Sequence, residues 1–337
     1  MKNIPNSAIT VFFCTDNRYS VPTYIALFSL LQNYCGDAEI HAYVLVSSSF
    51  SDKNVRLLES LSKAQSISVD IIRMPDTYDA IKINSDHVST ATLYRLMIPN
   101  IVSQQVGNEI DKCIYLDSDI VVEGDITELY NINIENYCIA GVLDRAISSE
   151  KLSGLKELKE LKKNLGIPTL KDYINAGVLL LNIREMQKCG IGNKLEELGY
   201  RNDLRYNDQD VINSVCYNSI KHIPLRFNVM TTCIYHDGED FLDQYGPSNI
   251  VEARKNPVVI HYVLGRKPWA CKNMMMARNW WKYVEMQDEE IMREYIEPFL
   301  KMNKASLFDR TRETVKTASI KMGIYNWLRE MYYSLRN

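Results

Sequence analysis

Five segments near the amino terminus alternate in character, and this alternation constrains the fold more than any other feature of the chain. "AITVFFC", "IHAYVLVS" and "ISVDIIRM" are short runs rich in β-branched and aromatic residues, whereas "YIALFSLLQNY" and "NVRLLESLSKA" read as helices. Strands separated by helices predict βαβ units and a mostly parallel sheet covered on both faces. Further along, "TATLYRLMIPNIV" reads as a helix, "CIYL" as a buried strand, and "YCIAGVLD" and "YINAGVLLLNIREM" have strand character. "NDQDVINSVCYN" reads as a loop entering a helix, and "PVVIHYVLGRKPW" as a strand running into a turn with Gly265 and Pro268. The segment 151–165 has leucines at 155, 158, 161 and 165 and precedes Gly166, which predicts an amphipathic helix with a glycine C-cap and a solvated lysine face. The core pattern ends near Asn273. The chain therefore reads as an α/β domain over 8–273 followed by a helical region over 274–337.

Composition excludes several classes. With 337 residues and 46% hydrophobic content, the chain can bury a large core. Its net charge of −3 provides no general basic field for nucleic acid. Eight cysteines include no Cys-x-x-Cys pair, so they read as buried thiols of a reducing compartment rather than a zinc site or a disulfide framework. The polar leader before "AITVFFC" is too brief for a secretory signal, and no run reaches the roughly 18 apolar residues of a membrane span, so a cytoplasmic protein is expected. The last stretch places Ile320, Ile324, Leu328, Met331 and Leu335 at helical spacing, with Trp327, Tyr332 and Tyr333 nearby and basic residues from Arg310 to Arg336. Such a helix either docks on the core or lies on the cytoplasmic face of an anionic inner membrane.

The polar residues worth most attention stand at strand ends. In "CIYLDSDIVV" the acids Asp117 and Asp119 follow an apolar strand, at the carboxyl edge where open α/β sheets bind ligands. A calcium-binding loop would also begin Asp-x-Asp, and Glu128 falls at its twelfth position. It would need an oxygen ligand at the fifth position and glycine at the sixth, where Val121 and Val122 stand. Other polar residues in comparable places are Asp16 and Asn17 after the first strand, Arg95, Asp144, Asn175, the cluster Asp208-Gln209-Asp210, and His261 with Lys267. Two aspartates and a histidine can bind a divalent cation with positions left open for ligand oxygens, and a lysine beside them suits a diphosphate.

"DKCIYLDSDIVVEGDITELYN", "YINAGVLLLNI", "YNDQDVIN" and "IHYVLGRKPW", in this order and after "CTDNRY" and "TLYRL", resemble family 8 of the nucleotide-sugar glycosyltransferases over roughly residues 8–272. The family includes bacterial galactosyl- and glucosyltransferases of lipopolysaccharide and capsule assembly and, more distantly, glycogenin. The resemblance implies a GT-A fold, a Rossmann-like mixed sheet flanked by helices. It also implies a UDP-hexose donor, retention of anomeric configuration, and Mn²⁺ with Mg²⁺ as the alternative ion. It assigns Asp117, Asp119 and His261 to the metal and Lys267 to the diphosphate, with Ser118 and Gly265 beside the donor. Asp16 and Tyr19 fall to the uracil, and Arg95, Asp144, Asn175 and Asp208 to the donor sugar. Gln209 stands beneath the anomeric carbon, with Asp208 the other catalytic candidate. Relatives often carry glycine three residues after the metal histidine, where this chain has Leu264, and acidic or amide residues where Asn17 and Arg18 stand.

Two rival readings share the sheet and the acids. A nucleotidyltransferase of this layout usually opens with a glycine-rich loop, and "TDNRYSVP" has no glycine; a UDP-sugar hydrolase stays open. A non-catalytic protein binding glycan or lipid surfaces would have no need of both acids, His261, Lys267 and the Asp208-Gln209 pair. The acceptor, a glycan or lipid-linked glycan on the family's pattern, has no motif to transfer.

Overall fold

In the computed structural model the described residues are 8–304, except 65, 76–89, 108, 150–155, 202, 233 and 235–243, together with 314, 315 and 317–319. In chain order the strands are β1 (Ile9–Thr15), β2 (Ile40–Ser47), β3 (Ile67–Met74), β4 (Lys112–Leu116), β5 (Ile120–Val122), β6 (Ile139–Leu143), β7 (Ile174–Asn182), β8 (Ile220–His222), β9 (Val229–Met230) and β10 (Val259–His261). Seven of them form one sheet in the order β3-β2-β1-β4-β7-β6-β8, and β5-β10-β9 form a second.

Every residue of β1 is buried, because successive side chains serve opposite faces. Val11 and Phe13 enter one core with Val21, Ile25, Leu27 and Leu30 of the helix Ser20–Asn33. Phe12 and Cys14 enter the other with Leu96, Leu158, Leu161 and Leu195. This is the two-sided covering that the continuous apolar strands predicted.

The sheet is mixed in one respect that matters for the site. β7 runs antiparallel to both its neighbours, β4 and β6. Its first residues therefore lie at the same edge as the carboxyl ends of β1, β4 and β6, so Asn175 stands near Asp144 and Asp117.

Local departures from the sequence reading have identifiable causes. "TATLYRLMIPNIV" is a 3₁₀ helix over Thr90–Met97, then one α-helical turn over Ile98–Ile101 and a wider π turn over Val102–Val106. Pro99 lacks the amide hydrogen a regular helix would need there. The apolar run of β7 ends at Asn182, whose side chain accepts from Glu185 N at 3.0 Å and opens the helix Ile183–Lys188. The leucine-spaced helix spans Lys156–Leu165, buries Leu158, Leu161 and Leu165, and ends at Gly166 with φ +67°.

Beyond Asn273, the helix Ala277–Glu285 and the segment after it place Trp280, Trp281, Tyr283, Ile296 and Phe299 in the first core. Residues 320–337, which carry most of the basic aromatic stretch, lie outside the described residues.

Candidate active site

The two acids follow from a change of sheet. β4 ends at Leu116, Asp117 N donates to Gly177 O at 2.8 Å, and the chain turns through Ser118 and Asp119 into β5. The Ser118 hydroxyl points inward, donating to Cys14 O at 3.0 Å and accepting from Thr23 Oγ1 at 2.8 Å. It pins the turn to β1 rather than facing a donor, so any donor contact from Ser118 falls to its main chain. β5 then pairs antiparallel with β10 in the register His261↔Ile120, and Tyr262 N donates to Asp119 O at 2.9 Å. This register brings His261 Nε2 to 3.3 Å from Asp119 Oδ1 and 3.7 Å from Asp117 Oδ2.

The three ligand atoms all lie within 4.8 Å of one another. Oxygen and imidazole nitrogen donors that leave positions open suit a divalent cation whose remaining ligands come from substrate. Charge points the same way. Among the described residues Arg95 pairs with Asp117 and Asp208, and Lys267 with Asp119, so a diphosphate entering this site would meet four carboxylates, counting Asp144, and would gain from a cation. Lys267 Nζ donates to Asp119 Oδ2 at 2.5 Å and to Tyr262 O at 2.6 Å, leaving one of its three hydrogens for a phosphate oxygen. Burial works to raise the Asp119 carboxyl, but Lys267 and His261 overcome it and hold the group well below the usual carboxylate range.

Arg95, nearly buried, joins this centre to the next acid. Its guanidinium lies 2.8 Å from Asp117 Oδ1 and 2.9 Å from Asp208 Oδ2, donates to Ala176 O at 2.7 Å, and sits over the Tyr115 ring at 4.5 Å. Burial pushes the Asp208 carboxyl up to about 6 while Arg95 pulls it back. Asp144, Asn175 and Gln209 form a second group. Gln209 Oε1 accepts from Ala176 N at 3.0 Å and Asn175 Nδ2 at 3.1 Å, and Gln209 Nε2 donates to Asp144 Oδ2 at 3.2 Å. Asp210 faces away: Tyr173 OH donates to it at 2.6 Å, and the Arg205 and Tyr206 amides donate at 2.9 and 2.8 Å, so it braces the loop.

The model of the family described as "Glycosyl transferase family 8" matches residues 10–272. The chain belongs to this family. A similar relative is "General stress protein A" of Bacillus subtilis (strain 168), 26% identical over 266 residues, covering 76% of this chain and 85% of that one. Another is "Lipopolysaccharide 1,2-glucosyltransferase" of Escherichia coli, 23% identical over 258 residues, covering 75% and 71%. Among solved structures, the galactosyltransferase LgtC in complex with donor and acceptor sugar analogs has a TM-score of 0.67 at 22% identity, covering 85% of this chain and 99% of LgtC. The bifunctional glycosyltransferase WbbM has a TM-score of 0.74 at 22% identity, covering 91% of this chain and 53% of WbbM. The fold is GT-A.

Within this family 8 chain the loop of Asp16 and Tyr19, expected beside the uracil, is built differently from the cluster of Asp117, Asp119 and His261. Asp16 Oδ1 accepts from the amides of Arg18 and Tyr19, both at 2.9 Å, and Oδ2 lies 3.1 Å from the Arg18 guanidinium, so Asp16 shapes the loop it sits in. Tyr19 is half-buried and packs edge-on against Trp269, ring centroids 5.7 Å apart. After His261, it is Leu264 and not Gly265 that takes the left-handed conformation, with φ +67°. A side chain there costs about 1 kcal/mol, and Leu264, 74% exposed, recovers little by burial. Leu264→Gly is expected to raise stability by up to about 1 kcal/mol, less the entropy glycine loses on folding; the urea midpoint measures it.

Two residues that complete the site stood outside the sequence reading. A Cβ on Gly177 would meet His261 Cε1 at 2.2 Å and Asp117 Oδ2 at 2.8 Å. Glycine inside a strand often marks such a close approach, a signal present in "NAGVLLL". Asn228, fully buried, lies 3.0 Å from His261 Nδ1, and nothing in "RFNVM" announces it. A cavity of about 850 Å³ bounded by Glu123, Arg254, Lys272 and Arg278 contains none of the site residues.

Proposed function

We propose that this glycosyltransferase moves galactose or glucose from a UDP-sugar to a cell-surface glycan or glycolipid with retention of anomeric configuration, using Mn²⁺ or Mg²⁺. The observation that carries this reading is the convergence of Asp117, Asp119 and His261 with Lys267 beside them, a set suited to a metal-bound diphosphate. The E. coli relative named as a glucosyltransferase and the solved galactosyltransferase LgtC support a hexose donor of either kind.

A divalent ion at this centre would neutralise the charge that develops on the leaving diphosphate. Lys267 offers a hydrogen to the same phosphate, and Arg95 holds Asp117 and Asp208 in fixed relation. Gln209 makes a poor nucleophile, because it is uncharged and its Oε1 already accepts two hydrogen bonds. This favours front-face substitution. The bond from sugar C1 to the β-phosphate oxygen breaks with its electron pair going to that oxygen. The acceptor hydroxyl oxygen bonds to C1 on the same face, and its proton passes to the departing phosphate. Gln209→Ala is accordingly expected to lower kcat by about a hundredfold or more while UDP affinity changes little; turnover kinetics and UDP titration separate the two. A glycosyl adduct trapped on Asp208 would overturn the mechanism.

Incubation with UDP-glucose or UDP-galactose and Mn²⁺, following UDP release with and without glycan acceptors, tests the whole reading. Release that no acceptor accelerates would indicate a hydrolase, and no release with either sugar would refute the donor assignment. Among the described residues no helix is long and apolar enough to cross a membrane. The basic aromatic composition of 310–337 supports contact with the cytoplasmic face of an anionic membrane and a lipid-linked acceptor; flotation with anionic vesicles, with and without these residues, tests it.

A further inference from the structure

Which nitrogen of His261 carries its hydrogen is decided by a chain of hydrogen bonds that starts on the backbone of β7. The Gly177 amide can only donate, and it meets Asn175 Oδ1 at 3.1 Å. That atom is thereby the carbonyl oxygen, so the Asn228 atom 2.9 Å from it must be the NH₂ group. Asn228 Oδ1 then faces His261 Nδ1 at 3.0 Å, and Nδ1 must bear the hydrogen. In the neutral ring the lone pair is left on Nε2, the atom turned toward Asp119 and Asp117. A second backbone amide fixes the other end. Ala176 N donates to Gln209 Oε1, the Asn175 NH₂ donates to that oxygen and to Asp144 Oδ2 at 3.2 Å, and Gln209 Nε2 is left to face Asp144.

Asn228 is well built for this task. It precedes β9, which pairs with β10 beside His261, and its own amide donates to Leu225 O at 3.0 Å. With 0% exposure, its side chain has no water to satisfy it and must keep both partners.

We propose that Asn228 is a positioning residue that locks His261 as the Nδ1–H tautomer, presents Nε2 as a metal ligand, and through Asn175 ties the orientation of that ring to Gln209. The ligand half rests on the metal reading above; the tautomer half stands without it. Hydrogen bonds to the far nitrogen of a ligating histidine fix its orientation and raise its basicity.

The test uses the full chain, metal-free, with ¹⁵N-labelled histidine, and reads the His261 ring where its ¹⁵N shifts are those of a neutral imidazole. His261, one of five histidines, is assigned by its loss in His261→Gln. Long-range ¹H–¹⁵N spectra are expected to show a protonated Nδ1 and a bare Nε2. Asn228→Ala shifts the ring toward the Nε2–H form and weakens Mn²⁺ binding by about 10- to 100-fold in calorimetry. Asn228→Asp keeps an acceptor at Nδ1, so the wild-type tautomer and near wild-type Mn²⁺ affinity persist. Its second oxygen meets Asn175 Oδ1, however, and turnover falls. An Nε2–H ring in the wild type, or an unchanged tautomer and Mn²⁺ affinity in folded Asn228→Ala, overturns the proposal. If the alanine variant does not fold, the wild-type and aspartate spectra decide. The expected tautomers in a wild type that binds no Mn²⁺ would support the lock and sink the metal reading instead.

Discussion

Asp119→Asn is expected to lower metal-dependent kcat/KM by roughly a hundred- to a thousandfold, the scale seen when a group that stabilises developing charge is removed. Asp119 serves two partners: Oδ1 lies 3.3 Å from His261 Nε2 and Oδ2 takes a hydrogen from Lys267. The amide replaces one oxygen with an NH₂ group. Set toward Lys267, it confronts one donor with another; set toward His261, it puts a donor where a cation should bind. Either orientation leaves the lysine without its charge partner. Mn²⁺ calorimetry together with UDP-release kinetics checks the outcome, and retained Mn²⁺-dependent turnover would refute the metal assignment.

Gly177→Ala is the second large effect, and it arises from shape alone. The added methyl would lie 2.2 Å from His261 Cε1 and 2.7 Å from Nδ1, closer than any real contact. His261 cannot simply swing aside, because Asn228 holds Nδ1 and β10 is paired on both edges. Overpacking of this kind costs about 1–3 kcal/mol, and displacement of the ring should weaken Mn²⁺ binding by about tenfold or more. Thermal unfolding with and without Mn²⁺ measures both parts. A variant with unchanged midpoint and unchanged metal response would show that the strand yields more readily than its buried pairing implies.

The large sheet was legible because buried strands are written as continuous apolar runs, and β1, β2, β4 and β7 each are. The direction of β7 was not, since an apolar run reads the same whichever way the strand points. The small sheet was hardest: β5 and β10 have three residues each and β9 two, too few for any periodicity. Asp117, Asp119, His261 and Lys267 could be picked out because charged or ionisable groups stand out against apolar strands. Ser118 shows the opposite problem, for its position beside the acids says nothing about which way the hydroxyl turns. Asn228 was hidden for a related reason: a lone asparagine in a loop is common, and its value lies wholly in what folds against it.

The second sheet gives the site a kinetic and mechanical character of its own. Asp117 hangs from the large sheet, whereas His261 ends β10 and Asp119 and Asn228 lead directly into β5 and β9, strands of two or three residues whose ladders contain few hydrogen bonds. All six residues of β5 and β10 are nonetheless buried, so packing against the first core, more than the few ladder bonds, holds the centre closed. The centre is also completed only by contacts between segments far apart in the chain, the kind of non-local closure that slows folding. A bound cation and diphosphate would rivet the two sheets together, so amide exchange in β5 and β10 becomes a direct gauge of site occupancy.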